Sequence, residues 1–397
     1  LPPHRPRTRR LVAAPRDARM PRPPSWCGTL LLGLIPLALL VALDARTRDS
    51  PSSDISERRG RPRCFARARH RARPLAGRWI DDNVTLESGL SPVLGNATLF
   101  RRDRLSDGFA ARWVAKACPA ESTVYSCGFA GVRPRPTRFE AADCELRRLD
   151  VEKLLRMLSG RTLYFLGDSL SIQQYQSLVC LARSSIDSVD TDWSQLTGLS
   201  LSDAECPYPN REHCHVTKSC ATFKGTTARM CLIRMKSNFW KVATGWRDVI
   251  VMNIGVHYNS AESYRKIVRD RLRAVRAWRR FHPLRRFVWR ETAPQHFRTP
   301  DGGYDKNASR GCLPTLDADA SSAQNWRNDL ALRELRRAGL GGDVLRIWDH
   351  GLALGSAHYG ASALARRNDC THWCAGGPMP NHWNVLLYNY LANYLLA

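Results

Sequence analysis

Lysine is scarce in this 397-residue chain: only 8 of its 61 basic residues are Lys. Carboxylates are scarce too, 36 Asp and Glu in all, so the formal charge is +25. Such basicity permits nucleic-acid binding, but an arginine bias follows from base composition as readily as from function, and no nucleic-acid partner is expected. No Cys-x-x-Cys pair occurs among the 13 cysteines, so neither a structural zinc site nor any other metal is expected. Internal repeats are absent, which excludes solenoids and propellers. Hydrophobic residues at 43% and charged residues at 24% exclude wholesale disorder. The length allows one large domain or two small ones with a substantial core.

One stretch has no charge at all. Trp26 to Leu43 is 18 residues long and predominantly apolar; as a helix it would span about 27 Å, close to the hydrocarbon core of a bilayer. Seven Arg precede it, whereas the residues that follow are of mixed charge. That asymmetry predicts a cytoplasmic tail over 1–25, a transmembrane signal anchor over 26–43 and the bulk of the chain in the lumen. A cleaved signal peptide is the competing reading. Residues 44–75, rich in Arg, Ser, Pro and Asp, read as a flexible stem, and the catalytic domain is expected over 76–397. With Cys27 set aside in the apolar run, twelve cysteines remain, an even number that fits disulfides in an oxidising compartment. Sequons at Asn83, Asn96 and Asn307 agree with entry into the secretory pathway.

Beyond the stem, strand-like and helix-like segments alternate. Thr162–Leu166, Val249–Asn253, Phe287–Arg290 and Val344–Trp348 have strand length; Val151–Leu158, Leu170–Leu181 and Ala261–Phe281 have helical spacing. The pattern predicts an α/β fold, a central parallel sheet with helices on both faces. Ligands in such sheets bind at the carboxyl ends of the strands.

Two turns there carry reactive side chains. Gly167-Asp168-Ser169 follows the first strand and opens a helix, whose positive end favours a developing oxyanion. Taken alone, it reads equally as a helix cap. Asp369-Cys370-Thr371-His372 could supply the base that a serine needs and the carboxylate that orients that base. His372 as a surface residue is the plainer alternative.

In combination these motifs resemble a known family. The run from Gly167-Asp-Ser169 to Cys180 is similar to the Gly-Asp-Ser block of the trichome-birefringence-like proteins, plant polysaccharide O-acetyltransferases of the PC-esterase group related to SGNH/GDSL hydrolases. Asp369-Cys-Thr-His372 through Tyr388 resembles their C-terminal block, Phe287 to Phe297 an intervening segment, and Gly77-Arg-Trp79 the domain opening. Ile172-Gln173-Gln174 departs from the usual Arg-Asn-Gln, and His257 stands one position off.

The resemblance implies a disulfide-stapled, three-layer α/β/α domain that moves acetyl groups onto polysaccharide hydroxyls in the Golgi. It makes Ser169 the nucleophile, His372 the base and Asp369 the orienting carboxylate. The oxyanion donors would be the Ser169 N–H with Gly225 and Asn253; substrate contacts would come from Arg290, His296 and Trp383. Implied disulfides are Cys64–Cys144, Cys118–Cys180, Cys127–Cys374 and Cys312–Cys370, while Cys206, Cys214, Cys220 and Cys231 could pair three ways. No tightly bound cofactor is implied. The acetyl donor would be acetyl-CoA or an acetylated carrier, supplied with the help of a partner protein. Acetylesterase action with the same triad, or non-catalytic glycan binding, are the alternatives.

Overall fold

Helix formation around the nucleophile candidate begins with a side chain. Asp168 is the N-cap of a helix over Ser169–Leu181, and its carboxylate accepts the Leu170 N–H. The strand that feeds this turn, Thr162–Gly167, is buried along nearly its whole length. Gly167 is obligatory at its end, because a Cβ there would lie 2.0 Å from the Asn253 carbonyl oxygen.

The computed structural model describes residues 61–65, 74–81, 137–190, 217–234, 243–361, 368–374 and 377–395, all within one unit, Arg59–Ala397. The expected anchor over 26–43, the sequons at Asn83 and Asn96, and Cys27, Cys118, Cys127, Cys206 and Cys214 lie outside the described residues. No helix among the described residues is long and apolar enough to cross a membrane.

Among the described residues the strands are, in chain order, β1 (Gly77–Asp81), β2 (Thr137–Ala141), β3 (Thr162–Gly167), β4 (Ile186–Asp190), β5 (Thr217–Phe223), β6 (Arg229–Arg234), β7 (Val249–Asn253), β8 (Arg286–Arg290), β9 (Phe297–Arg298), β10 (Ser309–Cys312) and β11 (Val344–Leu345). The helices are α1 (Val151–Met157), α2 (Ser169–Leu181), α3 (Ala261–Arg280), α4 (Ala318–Gln324), α5 (Trp326–Arg337), α6 (Trp348–Gly351) and α7 (Pro378–Leu395).

Seven strands form the main sheet in the order β11-β8-β7-β3-β6-β5-β4. The first five run parallel; β5 pairs antiparallel with β6, and β4 antiparallel with β5, so the sheet is mixed where an all-parallel one was expected. The period-2 alternation of strands divides the core into two. Leu163, Phe165, Val249, Val251 and Val288 pack with residues of α1, α2 and α7. Tyr164, Leu166, Ile250, Met252, Phe287 and Trp289 pack with residues of α3 and α5. The result is the expected α/β/α layering.

Two expected disulfides are formed, Cys64–Cys144 and Cys312–Cys370. Of the cysteines left open, Cys220 and Cys231 face each other across β5 and β6 and are joined. Cys180 and Cys374 are each disulfide-bonded as well, but not as one of these three pairs. Asn307 lies exposed on the β9–β10 loop.

Candidate active site

Because β3, β7 and β8 are parallel, their C-terminal turns meet at one edge, where they are stitched together. The Asp168 carboxylate, besides capping α2, accepts the Gly255 N–H at 3.3 Å. Asn253 donates to the Arg290 carbonyl at 3.0 Å and to Thr292 Oγ1 at 3.3 Å. Ser169 stands half-buried on this edge at the first position of α2, so its N–H belongs to the set that a helix leaves unpaired.

Residues 368–374 bring the second half of the site. His372 Nε2 lies 2.6 Å from Ser169 Oγ, and His372 Nδ1 lies 2.8 Å from Asp369 Oδ2. Asp369 Oδ1 also accepts the backbone N–H groups of Thr371 and His372, at 3.1 and 3.0 Å. With Nδ1–H donated to the carboxylate, Nε2 is left as the acceptor for the serine hydroxyl. Burial pushes the Asp369 carboxyl upward, but the hydrogen bonds and charge of His372 outweigh it and leave the pKa below its ordinary value.

No regular element holds this loop; individual ties do. Tyr359 N–H donates to the His372 carbonyl, Cys374 N–H to Ala357, Gly360 N–H to Asp369, and His296 N–H to Cys370. Gly360 must lack a side chain, since a Cβ would meet the Asp369 backbone at 2.5 Å. The Cys312–Cys370 disulfide adds a covalent tie. Gln295 Nε2 donates to Thr371 Oγ1 at 2.6 Å. Gln173, one helical turn beyond Ser169, clamps the Trp373 peptide from both sides: its Nε2 donates to the carbonyl at 2.8 Å, and its Oε1 accepts the N–H at 3.2 Å. The helix that carries Ser169 is thereby bolted to the loop that carries His372.

Comparison with known proteins fits this arrangement. Residues 146–266, which include Ser169, match the PC-Esterase model, described as a GDSL/SGNH-like acyl-esterase family found in Pmr5 and Cas1p. Over these residues the chain is similar to the PC-esterase family. It is 24% identical over 296 residues to trichome birefringence-like 6 of Arabidopsis thaliana, covering 64% of this chain and 61% of that protein. The chain therefore spans about three-fifths of that relative's length. Trichome birefringence-like 14 of the same plant is 25% identical over 376 residues, with coverage of 78% and 84%. Xylan O-acetyltransferase 14 of Oryza sativa subsp. japonica is 25% identical over 371 residues, with coverage of 72% and 77%.

Other expected site residues fall elsewhere in the fold. Gly225 sits in the β5–β6 turn, just before the residues that pair with the start of β3, so it lies at the edge opposite Ser169 and cannot donate to an oxyanion there. Asn253 is at the right edge but fully buried, with its amide N–H groups committed to Arg290 and Thr292. The strand flanking β3 on its other side is β6, and its C-terminal turn, 235–242, lies outside the described residues.

The three expected substrate contacts are all core residues. Arg290 is fully buried, its guanidinium 4.2 Å from the Trp383 ring, and burial lowers its pKa to about 10. Trp383 is itself fully buried and offers no face to a sugar. His296 is buried between the Leu352 carbonyl, 3.1 Å from Nε2, and His358, whose Nε2 is 2.8 Å from His296 Nδ1. His358 Nδ1 in turn reaches the His372 carbonyl at 3.1 Å. His296 thus supports the loop from behind. Sequence reading missed Gln173, Gln295 and His358; for Gln173 the signal was its position four residues after Ser169. Among the described residues, no three His, Cys, Asp or Glu side chains converge as a metal ion would need.

Proposed function

We propose that this chain transfers acetyl groups onto polysaccharide hydroxyls through an acetyl-serine intermediate. The observation that carries the reading is the unbroken line Asp369–His372–Ser169 at the sheet's C-terminal edge. Ser169 Oγ attacks the acyl carbon of the donor while His372 Nε2 takes the hydroxyl proton and delivers it to the departing group. Asp369 holds the imidazole tautomer and stabilises the cation that forms. The Ser169 N–H, at the positive end of α2, receives the oxyanion. A sugar hydroxyl then attacks the acetyl-serine, His372 takes that proton, and Ser169 leaves as the restored alcohol. Similarity to an enzyme named as a xylan O-acetyltransferase supports a polysaccharide acceptor. In the same reading, 26–43 anchors a type II protein in the Golgi membrane with the catalytic domain in the lumen. The donor is acetyl-CoA or an acetylated carrier.

Water competes with sugar at the second step, so transfer requires the acceptor to be held near His372 at high effective molarity. Supplying an acetyl donor with and without a panel of deacetylated glycans tests this. Acetylated sugar should appear with the right glycan, and intact mass should show acetyl on Ser169 when acceptor is withheld. Ser169→Ala should abolish both signals and leave the circular dichroism unchanged. Free acetate at one rate regardless of glycan, with no acetylated sugar, would leave an esterase.

A further inference from the structure

The sheet's opposite edge carries an unusual surface. Among the described residues, four large hydrophobic side chains are prominently exposed, and three of them sit on two adjacent turns there. Trp246, in the turn entering β7, is 56% exposed; Phe281 and Leu284, in the turn entering β8, are 75% and 43% exposed. Single exposed apolar residues are ordinary, but a cluster is not.

Nor are these turns loosely held. Arg285, itself buried, donates from Nε to the Gly245 carbonyl at 2.8 Å and from Nη2 to the Thr244 carbonyl at 2.7 Å. The Trp278 indole donates to the Ala243 carbonyl at 2.6 Å, and Arg286 N–H donates to Asp248 at 2.9 Å. Polar ties thus fix both turns side by side, and the apolar tips project from a rigid base.

Basic groups outnumber carboxylates around them, although Arg285 is buried and Arg279 pairs with Asp343 at 3.1 Å. Residues 243–248 and 276–286 contain Arg247, Arg276, Arg279, Arg280, Arg285 and Arg286 against one carboxylate, the buried Asp248. Each exposed aromatic also carries its own cation: Arg247 lies 5.2 Å from the Trp246 ring and Arg280 lies 5.9 Å from the Phe281 ring.

We propose that this edge is a docking surface for an anionic lipid bilayer. Trp and Phe at the level of the headgroups, with arginines beside them, match the composition of membrane-interface anchors. Leu284 favours lipid over an acidic glycan: an aliphatic side chain 43% exposed beside Pro283 can enter the acyl boundary, whereas a polyanionic sugar would be read by the arginines alone. The five-residue strands β7 and β8 span about 17 Å, so the site at their other ends would face away from the lipid, open to a polymer. The surface is independent of the acetyl chemistry and of residues 26–43.

Hydroxyl-radical footprinting of the full chain on vesicles tests it. Residue-level labelling is needed because an inserted anchor would bind any vesicle. On vesicles of phosphatidylcholine with phosphatidylserine, Trp246 and Phe281 should be protected, while Tyr304, which is 65% exposed on the loop tied to Gln295 beyond β8, should not. Protection should disappear on phosphatidylcholine alone, and the vesicle concentration giving half-protection should rise at least about 30-fold in Arg247→Glu/Arg280→Glu. Labelling of Trp246 and Phe281 at the vesicle-free rate on anionic vesicles overturns the proposal. So does equal protection by soluble polygalacturonate without lipid.

Discussion

The Gln173 clamp offers the sharpest test of how the site is held. Gln173→Met keeps side-chain volume and helix propensity but removes both hydrogen bonds to the Trp373 peptide. Trp373 is fully buried, so its N–H and carbonyl would be left without partners. Each orphaned group costs about 1–3 kcal/mol. The flanking ties from Tyr359 to His372 and from Cys374 to Ala357 survive, so the loop can relax, and the expected loss of stability is about 2 kcal/mol. Catalysis should suffer more. The clamp fixes His372 relative to Ser169 across a 2.6 Å contact, and a misplacement of about 1 Å can cost about 100-fold. Urea unfolding gives the stability term, and acetate release from a small activated ester gives kcat and KM. The fall should lie in kcat, because the clamp touches no substrate. Wild-type kcat together with a wild-type unfolding midpoint would refute the claim that this side chain sets the alignment.

Other predictions use the remaining ties. Asp369→Asn should lower kcat about 10³–10⁴-fold, as expected when a histidine loses the carboxylate that selects its tautomer, and ester turnover would reveal a smaller effect. Because the folded pKa of Asp369 is depressed, its contribution to stability is present above the ordinary carboxylate range and lost as pH falls through the depressed value; Asp369→Asn should flatten that part of a stability–pH curve. Replacing Cys312 and Cys370 together by alanine opens a link across 58 residues, and chain entropy alone predicts a loss near 4 kcal/mol, measurable by denaturation of oxidised and reduced protein. His296 is held near pKa 4 by burial, below the ordinary 6.5, so it favours folding fully above pH 6.5 and progressively less down to about 4, a loss of roughly 3 kcal/mol. Unfolding midpoints across that range should follow this slope, and His296→Gln should reduce it.

Central strands were legible because burial on both faces demands continuous apolar runs; Val249–Asn253 matches its expected bounds, and β3 extends its run by one residue. The β4–β6 region was not, since its strands are rich in Thr, Ser, Cys and Arg and its pairing is antiparallel. Val344–Trp348 was expected as one strand but pairs only at Val344 and Leu345, because the Glu291 carboxylate captures the N–H groups of Ile347 and Trp348. Helix α7 passed unread as a helix because it is buried nearly all round and shows no amphipathic stripe. At the site, Ser169, Asp369 and His372 stood out by residue type, and the fold brings them together. Arg290 and Trp383 misled because a motif does not say which way a side chain points. Alternation along β8 sends Phe287 and Trp289 to the α3 face and Val288 to the other, where Arg290 meets Trp383.

Counting protons explains why the two buried histidine pairs are not equivalent. His350 Nε2 faces the Leu75 carbonyl and must carry a hydrogen, so its Nδ1 is bare and accepts from His382 Nε2 at 2.8 Å. Two contacts use two protons, and both rings are neutral. The pair behind the loop of residues 368–374 differs. His296 Nε2 faces the Leu352 carbonyl, His358 Nδ1 faces the His372 carbonyl, and the rings meet nitrogen to nitrogen at 2.8 Å. Three contacts require three protons, but two neutral imidazoles carry only two. Burial lowers the pKa of both rings, and His296 lowers that of His358 further, so the third proton is expensive to hold. The neutral pair therefore leaves one contact without its hydrogen. Because His358 also stacks on Trp373 at 3.8 Å, the ring stays in place, and the support beneath His372 rests on packing as much as on hydrogen bonds.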